Sequence, residues 1–291
     1  MFRRIALGTV QFGMKYGISN QEGQVSPTEI KSILKSALEM GVDTLDTAIS
    51  YKDSEKYLGM NDANFFKIVT KIPPIPNSIE DVRSWCLSQF NSSLTNLNTD
   101  QIYGLLLHSP EDLLGTNGPA IYGALNLLKQ TGKVKKIGIS INTFKTIAEI
   151  INTYKLDLIQ APFNIIDRRL LNSGILKCLK DKDIEIHTRS AFLQGLLLMS
   201  EIDKPPEFSK WNNIWNQWAS WLSDNSITAL DGAIQYALSC PEIDKVIIGV
   251  QSSKQLTEIS RSIMKKNIYD FPDIQCVDEN LINPSKWLKL Q

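Results

Sequence analysis

Four side chains have the types and positions for proton chemistry: Asp46, Tyr51, Lys71 and His108. Asp46 opens the stretch DTAISY and closes the apolar run GVDTL. A carboxylate there is costly to bury unless something pairs with it. Lys71 ends a second apolar run, FFKIVT, and a lysine is rarely buried without a partner. If the two runs are neighbouring strands, each charge neutralises the other. Tyr51, five residues past Asp46, then lies beside the ammonium. A phenol has an ordinary pKa of about 10, and a nearby cation lowers it. Such a tyrosine is expected to exchange a proton near neutral pH. His108 ends a third apolar run, YGLLL, and can donate to an oxygen of a bound molecule. Together the four suit adding a proton to a carbonyl oxygen as hydride reaches the carbon.

Such a set needs a scaffold that gathers strand ends. SPTE puts Ser26 at an N-cap, Pro27 at the first helical position and Glu29 at the third, the pattern of a capping box. Ile30, Ile33, Leu34, Ala37 and Leu38 follow at helical spacing, and Gly41 is a stop signal. The alternation then continues. Strands are predicted over 5–9, 42–46, 66–71, 102–107, 136–140, 156–160, 184–188 and 246–249. Helices are predicted near 27–39, 53–59, 78–93, 119–131, 143–152, 170–181, 211–238 and 252–265. Eight strand–helix units with short connections imply a parallel sheet. In a chain of 291 residues they suit a closed (β/α)8 barrel, one α/β domain over 1–291 with a tail from about 266. The other arrangement, an open doubly wound sheet, lacks its usual GxGxxG after the first strand, and no P-loop is present. Barrel active sites lie at the C-terminal strand ends, where the four residues fall. Strand parity puts Asp46 on one face with Val42 and Thr44.

A formal net charge of zero gives no case for nucleic acid or an anionic membrane surface. No apolar run approaches the length of a membrane span, and the N-terminus lacks the pattern of a secretory signal. The four cysteines form no CxxC pair, so zinc is not expected and reduced thiols in a cytoplasmic protein are.

The pieces LGTVQFG, DTAISYKDSEKYLG, IVTKI, LLLHSP, GKVKKIGISIN, DLIQAPFNIIDRR, TRSAFLQGLL and IIGVQSSKQLTEI follow one another along most of the chain. In that order they resemble the aldo-keto reductases. The resemblance implies a (β/α)8 barrel that uses a nicotinamide cofactor, usually NADPH, without metal, on a small carbonyl substrate. It implies Tyr51 as general acid, Lys71 as the cation lowering its pKa, Asp46 as the lysine's partner and His108 as the group orienting the carbonyl. It also implies that Ser140, Asn142 and Gln160 hold the nicotinamide carboxamide. Ser190, Phe192 and Gln194 match the loop over the pyrophosphate, and Gly8, Thr9 and Val10 line the edge of the first strand. The adenosine end falls to Gly249, Gln251, Lys254, Gln255 and Glu258.

Three departures stand out. Arg189 takes the place where the family often stacks an aromatic ring on the nicotinamide. A guanidinium can stack too, but its charge disfavours the oxidised ring. Gly249 and Gln255 replace basic residues that grip the 2′-phosphate of NADPH, leaving Lys254, so NADH is possible. Tyr51 and Lys71 are only twenty residues apart, which implies a trimmed second helix.

His187, on the same strand face as Arg189, is expected to fill the barrel. Trp211, Trp215, Trp218 and Trp221 form one helical face, expected to be packing, with a wall of the substrate mouth as the alternative. Trp287, in the tail, is the other indole that a fold-back would bring to the mouth. Two further functional classes remain open on the sequence: a non-catalytic cofactor-binding barrel, and a sugar-modifying enzyme using tightly held cofactor without net redox change.

Overall fold

A computed structural model describes residues 2–265 and 269–287. Eight parallel strands close into a barrel in sequence order: β1 Ile5–Gly8, β2 Thr44–Asp46, β3 Lys67–Ile72, β4 Ile102–Leu107, β5 Val134–Ser140, β6 Leu158–Pro162, β7 Glu185–Arg189 and β8 Lys245–Gly249. The barrel helices are α1 Pro27–Glu39, α2 Ser54–Met60, α3 Val82–Leu97, α4 Gly118–Gln130, α5 Ile147–Thr153, α6 Ile175–Asp181, α7 Ala229–Ser239 and α8 Ser253–Met264. This is the predicted (β/α)8 barrel. Among the described residues, no helix is long and apolar enough to cross a membrane.

The strands are buried on both faces. Outward residues such as Ile5, Leu7, Leu45, Leu105 and Leu107 join the helices in one large apolar core. Inside, Val69, Leu106 and Leu158 form a separate small core at the barrel's waist. Gly138 is needed there, because a Cβ would lie 1.7 Å from the Leu158 carbonyl oxygen. Polar groups occupy both ends. At the N-terminal ends, Glu185 accepts from the Tyr103 hydroxyl at 2.6 Å and pairs with Lys136 at 2.5 Å and His187 Nε2 at 2.7 Å. Asp43 pairs with Lys67 at 3.0 Å and with Lys245. His187 is thus barrel filling, as expected.

Several local expectations shift. Leu38 is 46% exposed although it fits the helical period, so the buried stripe of α1 is Ile30, Ile33, Leu34 and Ala37. Half of the capping box forms: Ser26 Oγ accepts from Glu29 N at 3.3 Å, but the Glu29 carboxylate goes elsewhere, to Ser253. The helix predicted over 211–238 is two, Asn212–Asp224 and α7, parted by a turn in which Ser226 has φ of 53°. α7 opens with a true capping box, Thr228 and Asp231. The tryptophan face is packing: Trp215 and Trp218 are buried and donate to the carbonyls of Phe208 and Leu197 at 2.9 and 3.1 Å. Trp287 packs edge-on against Phe208 at 4.9 Å, and residues 288–291 of the predicted tail lie outside the described residues.

Candidate active site

Barrel register brings the proton-bearing residues together. β1 pairs with β2 at Gly8 and Asp46, and β2 with β3 at Asp46 and Val69. Lys71, two residues past Val69, points the same way. Its ammonium donates to Asp46 Oδ1, Asp46 Oδ2 and the Thr47 carbonyl, each at 2.8 Å. An ammonium has three donors, and all three are engaged. Gln160 Nε2 adds a 2.6 Å bond to Asp46 Oδ1, and Ser140 Oγ donates to Gln160 Oε1 at 3.1 Å. A buried polar chain therefore runs from β5 through β6 to β2 and β3.

The turn carrying Tyr51 is locked by the hydroxyls of Thr9, expected only at the edge of the first strand, and of Thr47 and Ser54, which the sequence did not single out. Thr9 Oγ1 donates to the Asp46 carbonyl at 3.0 Å. Ser54 Oγ lies 2.9 Å from the Thr9 carbonyl and 3.1 Å from Thr47 Oγ1. The helical turn Val10–Gly13 presses on the same segment, and a Cβ on Gly13 would sit 1.8 Å from the Tyr51 carbonyl oxygen. α2, with seven residues, is indeed short. It is anchored by the buried Glu55, which accepts from Thr70 Oγ1 at 2.6 Å and Ser93 Oγ at 2.9 Å.

Tyr51 is half-buried, with Lys71 Nζ 5.3 Å from its ring centre and the His108 ring edge-on at 6.1 Å. Its pKa is pushed well above the ordinary phenol range, by burial first, then by the charge of Asp46 and by Tyr16. The direction is opposite to the lowering expected from Lys71. Lys71 gives all three of its N–H donors to Asp46 and Thr47, leaving none for the phenol oxygen. Arg189 acts in the lowering direction, but less strongly than burial and Asp46 act against it. Burial also lowers the pKa of Lys71, against the pull of Asp46.

His108 is pushed down to about 4 from 6.5, by burial first and then by Lys71 and Arg189. Its imidazole is neutral at neutral pH. Ser50 Oγ lies 3.3 Å from Nδ1; if Ser50 donates, Nε2 keeps the proton. The unfolded chain takes up this proton first, so His108 favours the folded state above pH 6.5 and loses that contribution as pH falls toward about 4. The expected result is an NMR titration of His108 with a midpoint near 4 and no change between pH 6 and 8. A midpoint at the ordinary 6.5 would show that the ring is not desolvated.

Arg189 ends β7 and crosses to the loop after β5, donating to the Ile141 carbonyl at 2.9 Å and to Asn142 Oδ1. Among the described residues no carboxylate pairs with it, so the guanidinium is an uncompensated charge beside Tyr51.

A groove of about 330 Å³ runs across the C-terminal end of the barrel. Gly8, Thr9, Val10, Asp46, Tyr51, Arg189, Ser190, Phe192, Gln194, Gly249, Gln251, Gln255 and Glu258, all singled out from the sequence, line it. Ser140 and Gln160 are buried, Ser140 bonded to Gln160 and Gln160 to Asp46, and Asn142 is exposed and engaged by Arg189. Lys254 is exposed and does not line the groove. Gln11, Tyr16, Gly17, Ser19 and Asn20 line it without having been anticipated. Gln11 had a signal, since it lies inside LGTVQFG; Tyr16 had none.

The groove carries unmet hydrogen-bonding capacity. Gln11 Oε1, Gln194 Oε1 and Gln251 Nε2 are buried without partners. Such atoms are costly unless a ligand or water meets them. On the same wall Ser190, Leu193, Gln194 and Gly195 have φ of 65°, 48°, 53° and 91°. Backbone of this kind can turn successive N–H groups toward an anion. The residues present fit a long polar, anionic cofactor. Among the described residues no cluster of His, Cys, Asp or Glu is placed to hold a metal.

Residues 4–279 match the model of the Aldo/keto reductase family. The chain is 26% identical over 247 residues to an uncharacterised oxidoreductase of Bacillus subtilis, YqkF, covering 78% of this chain and 79% of that one. It is 24% identical over 318 aligned positions to the B. subtilis aldo-keto reductase YhdN, covering 96% and 91%. The aldo-keto reductase AKR11C1 of Bacillus halodurans, solved in its holo form, shares the fold with a TM-score of 0.73 at 19% identity, covering 91% of this chain and 88% of that one.

Proposed function

We propose, since the chain belongs to the aldo/keto reductase family and is an NAD(P)H-dependent oxidoreductase, that it reduces an aldehyde or ketone with Tyr51 as the proton donor. The observation carrying this reading is a protonated phenol at the groove wall, flanked by a neutral imidazole and an uncompensated guanidinium. A reduced nicotinamide, when bound, supplies hydride to the carbonyl carbon. Negative charge then develops on the carbonyl oxygen, and Tyr51 gives its proton there. A phenol with a raised pKa stays protonated until a strongly basic oxygen appears, which suits reduction. His108, neutral, donates from Nε2 to the same oxygen and orients it. Arg189 stabilises the phenolate left behind. Lys71 is a positioning residue: it holds Asp46 and the Thr47 carbonyl and so the turn carrying Tyr51. Gln11, Gln194 and Gln251 would hold polar atoms of the cofactor, and the backbone from Ser190 to Gly195 would hold its diphosphate.

The test is consumption of NADH and NADPH by the purified protein across a panel of aldehydes and ketones. Carbonyl-dependent oxidation of either cofactor is expected. Tight cofactor binding with no turnover on any carbonyl would overturn the reading in favour of a binding protein.

A further inference from the structure

We propose that Glu29 makes the groove select NADH over NADPH, an inference that rests on the nicotinamide-cofactor reading above. The sequence assigns this glutamate to its own helix, as the third residue of a capping box. The structure takes it away from that role. Glu29 Oε1 instead accepts from Ser253 N at 2.6 Å and Ser253 Oγ at 2.8 Å, 224 positions along the chain. Ser253 is the first residue of α8, and Ser252 is its N-cap. A helix N-terminus offers free N–H donors and a positive dipole end, which phosphates commonly use. Here a carboxylate of the protein already holds the first of those donors, Ser253 N, and Ser252 Oγ holds another, Gln255 N, at 3.2 Å.

The surroundings offer a phosphate nothing in exchange. Gln251 lines both the groove and a second cavity of about 390 Å³, whose walls include Glu22, Glu29 and Ser252. Glu258 lines the groove nearby. Among the described residues no lysine or arginine lines the second cavity, Arg189 belongs to the Tyr51 end of the groove, and Lys254, next to Ser253, is exposed and lines neither. Extra phosphate charge at this end would face carboxylates with no counter-ion in the cavity walls. A ribose hydroxyl is a donor instead, and a carboxylate that accepts from it favours the cofactor lacking the phosphate. Glu29 Oε2 is the acceptor for that hydroxyl, and the unpartnered Gln251 Nε2 is a donor at the same junction.

The experiment is a titration of tryptophan fluorescence with NADH and with NADPH, on wild type and Glu29→Gln. The amide is isosteric and still accepts from Ser253. Wild type is expected to bind NADH at least about tenfold more tightly than NADPH, a difference of about 1.4 kcal/mol. Glu29→Gln is expected to narrow that ratio at least about fivefold, mainly through NADPH. The NADH constant shows in the same sample that the site is folded. Ionic strength gives a second measurement on wild type alone: repulsion is screened, so added salt should narrow the NADH preference. A wild-type preference for NADPH, a ratio unmoved by Glu29→Gln, or a preference that widens with salt would overturn the role of Glu29. Binding of neither cofactor would overturn the cofactor reading itself, and this inference with it.

Discussion

Phenylalanine at position 51 is expected to lower turnover by about 10²–10⁴-fold, the usual worth of a positioned proton donor. The ring itself should stay in place. Its setting comes from the backbone turn, the Thr9–Ser54–Thr47 hydroxyls and contact with the His108 ring, none of which involves the phenol oxygen. Cofactor binding measured by tryptophan fluorescence is therefore expected to stay within a few fold of wild type. That combination separates loss of a proton donor from loss of the site. Turnover close to wild type in Tyr51→Phe would refute the donor role. Loss of binding together with turnover would assign Tyr51 to holding the cofactor.

Methionine at position 71 is expected to cost about 3–5 kcal/mol of stability, because it strands a buried carboxylate. Lys71 has no exposed side-chain surface and Asp46 only 6%. Removing the ammonium leaves both Asp46 oxygens and the Thr47 carbonyl short of a donor, with Gln160 the remaining partner of Asp46. The pair removed together, Asp46→Asn with Lys71→Met, is expected to regain much of that loss, since no charge is then stranded. It is not expected to regain turnover, because the turn carrying Tyr51 loses its anchor. Urea midpoints of the two variants, beside their kcat values, check both halves. A Lys71→Met variant within about 1 kcal/mol of wild type would mean that the pair behaves like an exposed one. Recovery of activity in the double variant would show that the anchor is dispensable.

Local rules carried most of the architecture. Apolar runs separated by capped helical patterns named eight strand–helix units, and those units determine a barrel whose C-terminal strand ends share one face. Asp46, Lys71 and His108 ended such runs, so their gathering at one end was legible. The break between Asn212–Asp224 and α7 was legible too, in the Thr228/Asp231 cap, although one helix was expected over 211–238.

The sequence by itself thus determined the fold class and the strand ends at which Asp46, Lys71 and His108 gather, because these depend on short-range periodicity. Tertiary structure alone decided how the charges are shared. Whether Lys71 acts on Tyr51 or is consumed by Asp46 and Thr47 depends on where three strand ends aim their side chains. Whether Glu29 caps its own helix or α8 depends on barrel closure, which pairs β1 with β8 at Gly8 and Gly249 and brings residues more than two hundred positions apart into contact. The unpartnered amides of Gln11, Gln194 and Gln251 come from three separate segments for the same reason. A hydrogen bond of about 3 Å is decided by side-chain direction within a closed surface, and no local pattern of residue types records that direction.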